Sequence, residues 1–345
     1  MRVLITGHRG YIGAVMAAVL KNARFEVAGM DCDLYGPCDF GRTRDEVAAF
    51  DVDVRDVEFT DLLSFDAVVH LAATPEDWNG ALDPTVSEAI NRDAAIRLAE
   101  CCKKAQVGRL LFASTCAVYG RALNELQDEE SATHPLTPYA RAKLDAERAL
   151  LRLSDTSLSV VVMRNATAYG ASPRMRLDTA VNEFVASAVT TGRIDMQTEG
   201  RAWRPFVHVE DVARMYAAVL AAPNASVSGQ VINAVRSDEN YRIIDAADRV
   251  AELIPGCTRS APPRTFDRRS YRVDGGKLAR LFPRLELHWT LDQGTRQLRE
   301  AFRTSGLTPG ELRSPRFRRI RRLSTLMERG ELDSQLRRAS ALMLR

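Results

Sequence analysis

The sequence predicts an α/β fold, a doubly wound parallel sheet with a smaller C-terminal lobe, and two observations carry that prediction. Short apolar runs with β-branched members recur along most of the chain: RVLIT (2–6), FEVAGM (25–30), DAVVHLAA (66–73), RLLFAS (109–114), LSVVVMRN (158–165) and QVINA (230–234). Helical stretches separate them, and such alternation builds a parallel sheet covered on both faces. The second observation is the glycine-punctuated segment TGHRGYIG at 6–13, directly after the first run.

RVLIT ends at Gly7, and apolar residues from Tyr11 to Leu20 follow helical spacing, so the opening reads as strand, tight turn and helix. Gly7 lets the chain turn, Gly10 lets backbone N–H groups approach a pyrophosphate, and Gly13 lets the helix, begun by Tyr11 and Ile12, pack closely on the strand. FEVAGM ends at Asp31, where a carboxylate at a strand tip accepts hydrogen bonds from a ribose diol and repels a 2′-phosphate. Asp31 argues for NAD; Arg9, inside the loop, is the argument for NADP. NAD is favoured because no arginine follows Asp31 immediately to complete a phosphate pocket. In such a sheet the glycine loop, Asp31, His70 to Ala73 and Ser114 to Thr115 converge at the carboxyl ends of the strands.

Tyr139 and Lys143 stand four residues apart in PLTPYARAK. On a helix that spacing puts both side chains on one face, where an ammonium beside a phenol favours the phenolate and makes it a base near neutral pH. After about residue 170 the rhythm becomes irregular, with Arg174, Arg176, Arg204 and a proline-rich patch near Pro262. The expected organisation is therefore a cofactor domain over 1–170 with a returning strand at 230–234, a substrate lobe over 171–309, and a basic helical tail over 310–345.

With 345 residues, 46% of them hydrophobic, the chain can bury a large core. Its six cysteines match no zinc or disulfide spacing, so no metal is expected, and the chain opens as a strand rather than as a secretory segment; a reducing cytoplasm is the expected home. No apolar stretch has the length of a membrane span. The tail from Gly310 holds ten arginines against four acids, so the basicity of the chain is concentrated there. Phe317, Ile320, Leu323 and Met327 recur at helical spacing among those arginines, which reads as a packed or oligomer-forming helix. Contact with an anionic membrane or with nucleic acid is the alternative, but Phe317 alone interleaves the arginines, fewer aromatic side chains than a nucleic-acid single-strand binder would want.

Together, TGHRGYIG, Asp31, DVDVRD (51–56), HLAA (70–73), FASTCAVYG (112–120), Tyr139 with Lys143, and RPFVHVEDVA (204–213) resemble the extended short-chain dehydrogenase/reductases, and within them the NAD-dependent nucleotide-sugar epimerase/dehydratase group. The resemblance runs over most of residues 1–300. It implies a Rossmann-type domain holding NAD, a C-terminal lobe holding a nucleotide diphosphate sugar and, by the family's habit, a homodimer. It implies Tyr139 as acid/base, Thr115 as its Ser/Thr partner, and Lys143 as the lysine that touches the ribose and supports the tyrosine. Asp53 and Val54 are implied along the adenine, and Leu71, Ala72 and Ala73 beside the cofactor. Asn165, Thr167, Asn182 and Arg204 are implied at the substrate, with Arg269 a weaker candidate for the same anion.

Two departures stand out. RNATAYG places Thr167 where many relatives have an asparagine, and Cys116 with Ala117 replaces the Asp-Glu pair of the sugar 4,6-dehydratases. The expected activity is epimerisation through transient oxidation to a keto hexose, at C4. The alternatives are a non-standard dehydratase or C5-epimerase using Cys116, an NAD(P)H-dependent keto-sugar reductase, and a non-catalytic NAD-sensing or RNA-binding member. Cys116 has a bland alternative as a packing residue; His70 and His208 read as structural, and Asp211 as a helix cap.

Overall fold

The computed structural model describes residues 1–41, 47–75 and 82–338; residues 339–345 of the expected tail lie outside the described residues. Seven parallel strands form the main sheet: β1 (Arg2–Thr6), β2 (Glu26–Met30), β3 (Ala48–Phe50), β4 (Ala67–His70), β5 (Arg109–Thr115), β6 (Ser159–Asn165) and β7 (Val231–Ala234). Their spatial order is β3-β2-β1-β4-β5-β6-β7. The order reverses between β1 and β4, which opens a crevice at their carboxyl ends. Every residue of β6 is buried, as a strand covered on both faces requires. β3 was not among the expected strands. Its three residues, Ala-Ala-Phe, are all exposed and carry no apolar alternation, and only pairing with the edge of β2 makes them a strand.

The principal helices are α1 (Tyr11–Asn22), α2 (Ala94–Lys104), α3 (Pro138–Leu153), α4 (Ala180–Thr191), α5 (Val209–Ala221), α6 (Leu291–Ser305) and α7 (Arg319–Glu328). Met16 and Leu20 of α1 pack with Val212, Tyr216 and Val219 of α5 on one face of the sheet. Leu98 and Cys102 of α2 pack with Ala146 and Leu150 of α3 on the other. Each fully buried Leu or Val side chain of these layers contributes roughly 1.5–3 kcal/mol relative to exposure. The second lobe has its own core, in which Phe184 of α4, Phe302 of α6, Phe40 and Phe317 are buried together. Its three-stranded sheet joins Thr167–Tyr169, Trp203–His208 and Asn240–Arg242.

The basic tail is a packed element. Leu323 and Leu326 of α7, followed by Leu332 and Leu336, enter the same core as α2 and α3. Many of its arginines are spent inside the molecule: Arg319 is buried against the Arg174 carbonyl, Arg318 pairs with Glu183, and Arg316 pairs with Glu311.

Candidate active site

A cavity of about 940 Å3 runs from the glycine loop, past the ends of β4 and β5, into the second lobe. At its first end Gly7 has φ +77°, and a Cβ there would lie 2.7 Å from the Ala72 nitrogen. A Cβ on Gly13 would lie 2.2 Å from the Gly7 carbonyl oxygen, so only glycine lets α1 approach β1 this closely. The Gly10 N–H donates to the Gly7 carbonyl at 2.9 Å and holds the turn. No side chain caps α1 and its first turn holds no acid, so the amide groups there are left to receive an anion. Gly7, Gly10, Tyr11, Ile12, Gly13, Leu71 and Ala73 line the cavity, while Ala72 packs its backbone against Gly7.

The Asp31 carboxylate accepts the Arg9 and Asp33 N–H groups, each at 2.8 Å, and each oxygen keeps a lone pair for a further donor. Burial raises its pKa against these two bonds, which pull it down. Arg9 turns its guanidinium to Asp51 at 3.2 Å and Asp33 at 3.9 Å. A 2′-phosphate would thus face Asp31, Asp33 and Asp51 with an arginine already paired, whereas a ribose diol has acceptors; the residues fit NAD. Asp53 starts the short turn Val54–Asp56, receiving Arg55 N–H at 2.9 Å, and the Arg55 hydrogen bonds hold its carboxyl below the usual range despite burial. Val54 is buried in the core.

The stretch of the cavity lined by Thr115, Tyr139 and Lys143 is built on α3 and β5. Thr137 caps α3 by accepting the Ala140 N–H at 3.1 Å, and Pro138 occupies the first turn, which seats Tyr139 at the cavity and Lys143 one turn deeper. Lys143 is 1% exposed. Its Nζ donates to the Ala113 carbonyl at 2.9 Å, lies 4.7 Å from the Phe112 ring centroid and 6.0 Å from that of Tyr139. Burial pushes the ammonium down to about 7, with the Glu147 charge opposing. Glu147, four residues on along α3, is held by Arg164 at 2.8 Å and by the Ser114 hydroxyl. Thr115, at the end of β5, lines the cavity and accepts the Ala117 N–H at 3.1 Å.

At the far end Arg204 and Arg269 share Asp267, at 2.7 and 2.9 Å, so two guanidiniums face one carboxylate. The surplus positive charge suits a diphosphate. Arg204 is fixed further by donating to the Trp203 and Arg269 carbonyls. Thr167 and Asn165 also line the cavity, and the Asn165 amide donates to the Tyr216 hydroxyl at 3.0 Å.

Three expectations are corrected. Asn182 is fully buried: its oxygen accepts the Gly170 N–H at 3.0 Å, and its amide donates to the Tyr11 hydroxyl at 3.1 Å and the Arg176 carbonyl at 3.0 Å. It clamps Tyr11, whose hydroxyl donates to the Gly170 carbonyl at 2.7 Å, and has no donor left for a substrate. Asn182→Ala is expected to destabilise the fold by about 2–4 kcal/mol in denaturant unfolding, because these buried groups lose their partner. A variant of native stability with a raised KM would instead restore the substrate role.

Cys116 is 1% exposed, its thiol donates to the Arg164 carbonyl at 3.3 Å, and burial raises its pKa far above the thiolate range. Thr115 faces the cavity and the next residue points into the core, so Cys116 is the packing residue. Cys116→Ala is expected to keep kcat within about twofold, since a buried cysteine acts as a small hydrophobe; a hundredfold loss in steady-state assay would reinstate it as an acid or base. Asp211 does not cap α5; His208 does, accepting the Glu210 N–H at 3.2 Å. The Asp211 carboxylate instead accepts the His288 and Trp289 N–H groups, both at 3.0 Å.

His70 bonds Thr6 Oγ1 at 2.7 Å and burial lowers its pKa to about 3; His208 stacks on Trp289 at 4.0 Å and burial lowers its pKa to about 4. Both are neutral packing groups at ordinary pH. Sequence reasoning missed the support behind Lys143. The signal was present, since Glu147 continues the four-residue spacing of Tyr139 and Lys143, but its partners Ser114 and Arg164 come from β5 and β6. It also missed Arg313, Arg318, Arg319 and Arg321, which bring the tail into the cavity wall.

The model of the NAD dependent epimerase/dehydratase family matches residues 3–234. The chain belongs to that family. It is therefore similar to enzymes that work with NAD. "Uncharacterized UDP-glucose epimerase YtcB" of Bacillus subtilis (strain 168) is 28% identical over 248 residues, spanning 68% of this chain and 76% of that protein. Among solved structures, MoeE5 in complex with UDP-glucuronic acid and NAD has a TM-score of 0.74 at 26% identity, covering 88% of this chain and 100% of MoeE5. The UDP-glucose 4-epimerase of Thermus thermophilus in complex with NAD has a TM-score of 0.73 at 25% identity, covering 88% and 99%. This member of the family thus carries sequence beyond what those structures contain. Among its described residues no helix is long and apolar enough to cross a membrane.

Proposed function

We propose that this family member is an NAD-dependent nucleotide-sugar 4-epimerase acting on a UDP-hexose. The observation that carries the reading is one cavity holding Thr115, Tyr139 and Lys143 beside the glycine loop, with the Arg204–Asp267–Arg269 cluster at its other end. The relatives named UDP-glucose epimerase and UDP-glucose 4-epimerase support the substrate class. NAD, when bound, supplies the hydride acceptor and returns the same hydride, so no external reductant enters.

Tyr139 takes the proton from the C4 hydroxyl as that carbon is oxidised, and gives it back on reduction. Thr115 donates a hydrogen bond to the oxygen as carbonyl character develops. Lys143, charged, favours the phenolate of Tyr139 and the ribose of the cofactor. Arg204 and Arg269 hold the diphosphate while the hexose turns to present its other face. Cys116, turned into the core, favours this route over dehydration or C5 epimerisation.

The test is to denature the purified protein and assay released nicotinamide, then incubate native enzyme with UDP-, GDP- and TDP-hexoses in deuterated water without added cofactor. Recovered NAD together with a C4 epimer of unchanged mass supports the reading. Loss of water or deuterium at C5 moves the chain to dehydratase or C5-epimerase chemistry. A requirement for stoichiometric NADPH makes it a reductase.

A further inference from the structure

The segment after α7 returns to the adenosine side of the sheet. Leu332 and Leu336 are 4% and 2% exposed, in the core that also buries Val54 and Val57. Between them Asp333 builds a closed turn: its carboxylate accepts the Gln335 and Arg337 N–H groups, each at 2.8 Å, and its own N–H donates to the Arg337 carbonyl at 2.9 Å. The turn therefore has a fixed shape and two hydrophobic anchors.

What this turn presents is aimed at the two loops that carry Asp31 and Asp53. The Arg338 guanidinium donates to the Cys32 carbonyl at 2.7 Å and to the Asp33 carbonyl at 3.3 Å. Arg337 pairs with Asp56, with an Nη2 contact of 2.9 Å, and lies 3.4 Å from the Asp53 carboxylate. In the other direction Arg55, which holds Asp53, donates to the Gln335 carbonyl at 2.6 Å. Two loops from separate strands, β2 and β3, are thereby tied to one turn.

We propose that residues 332–338 form a clasp over the adenosine end of the NAD site, with Arg337 and Arg338 as positioning residues that slow release of the dinucleotide. An enzyme that returns its hydride in each cycle gains from keeping one cofactor through many turnovers, and a clasp acts on the dissociation rate. The charge balance agrees: Asp31, Asp33, Asp51, Asp53 and Asp56 crowd this end, and Arg337 offsets two of them. The inference rests on reading the glycine-loop cavity as the NAD site.

The experiment follows release of radiolabelled NAD from the full-length protein, chased with unlabelled NAD, for wild type, Arg337→Glu, Arg337→Glu with Asp56→Arg, and Arg338→Ala. Arg329→Ala, in an exposed pair with Glu331, is the control. The expected result is release about tenfold faster in Arg337→Glu and Arg338→Ala, a change equal to one decade in dissociation constant. Restoration toward wild type in the charge-swapped double variant, and no change in Arg329→Ala, complete it. The double variant separates a lost clasp from a misfolded chain, because rescue by an exchanged pair requires the native contact. Release within twofold of wild type in both single variants overturns the clasp. Tighter binding in those variants also overturns it, since the turn would then compete with adenosine. Wild-type protein that neither retains nor binds NAD overturns the cofactor reading itself, and the clasp with it.

Discussion

Tyr139→Phe is expected to lower kcat for C4 epimerisation by about 10³-fold, within the range that a positioned acid/base contributes, while leaving bound NAD and the fold in place. The phenyl ring keeps the tyrosine's packing at the first turn of α3, so the change removes one oxygen and the proton it carries. Because the lost interaction forms only as the C4 proton moves, kcat and kcat/KM should fall together and KM should move little. Steady-state kinetics, beside an assay of nicotinamide in the denatured variant, checks both parts. Activity within tenfold of wild type would show that another group takes the proton.

Lys143→Met is expected to lower activity by about 10²-fold or more and, unusually for a site residue, to stabilise the cofactor-free protein. Lys143 titrates at 10.5 when exposed and at about 7 in the fold, because burial penalises the charged form. Above pH 10.5 neither state holds the proton and the lysine costs nothing. As pH falls toward 7 the unfolded chain takes up a proton that the folded chain refuses, so stability declines. Below pH 7 both states are protonated and the cost is constant, with an upper bound of about 5 kcal/mol. Methionine removes that cost but leaves the Ala113 carbonyl without its donor, a loss of about 1–3 kcal/mol. The melting midpoint of the variant should exceed that of wild type at pH 6.5, and the gap should close by pH 9.5. A gap independent of pH would mean that the buried ammonium is not the source of strain.

The two expectations belong to one design. In the proposed mechanism Tyr139 needs a cation nearby, and Lys143 lies where solvent cannot screen it, at a cost in stability that the Glu147 charge only partly offsets. Glu147 is in turn balanced by Arg164, so the buried cluster is a chain of compensations running from Lys143 into the core.

Local spacing made most of the cofactor end legible. Gly7, Gly10 and Gly13 act within one turn, Asp31 sits at a strand tip, and Tyr139 and Lys143 share a face of one helix; each relation is set by neighbours a few residues away. The sheet was legible for the same reason, since buried parallel strands must be apolar runs. β3 escaped because its three exposed residues form a strand only through β2.

What the sequence by itself determined about this protein is therefore the sheet, the dinucleotide loop and the pairing of tyrosine with lysine. Only the tertiary structure decided that Asn182 faces Tyr11 instead of a substrate, that Cys116 faces the core, that Arg204 and Arg269 meet on one aspartate, and that the basic tail folds back on Asp53 and Asp56. The physical reason is the range of the interactions. A helix face or a strand tip follows from backbone geometry over a few residues, whereas the direction in which a side chain spends its hydrogen bonds depends on groups brought beside it by packing from distant parts of the chain.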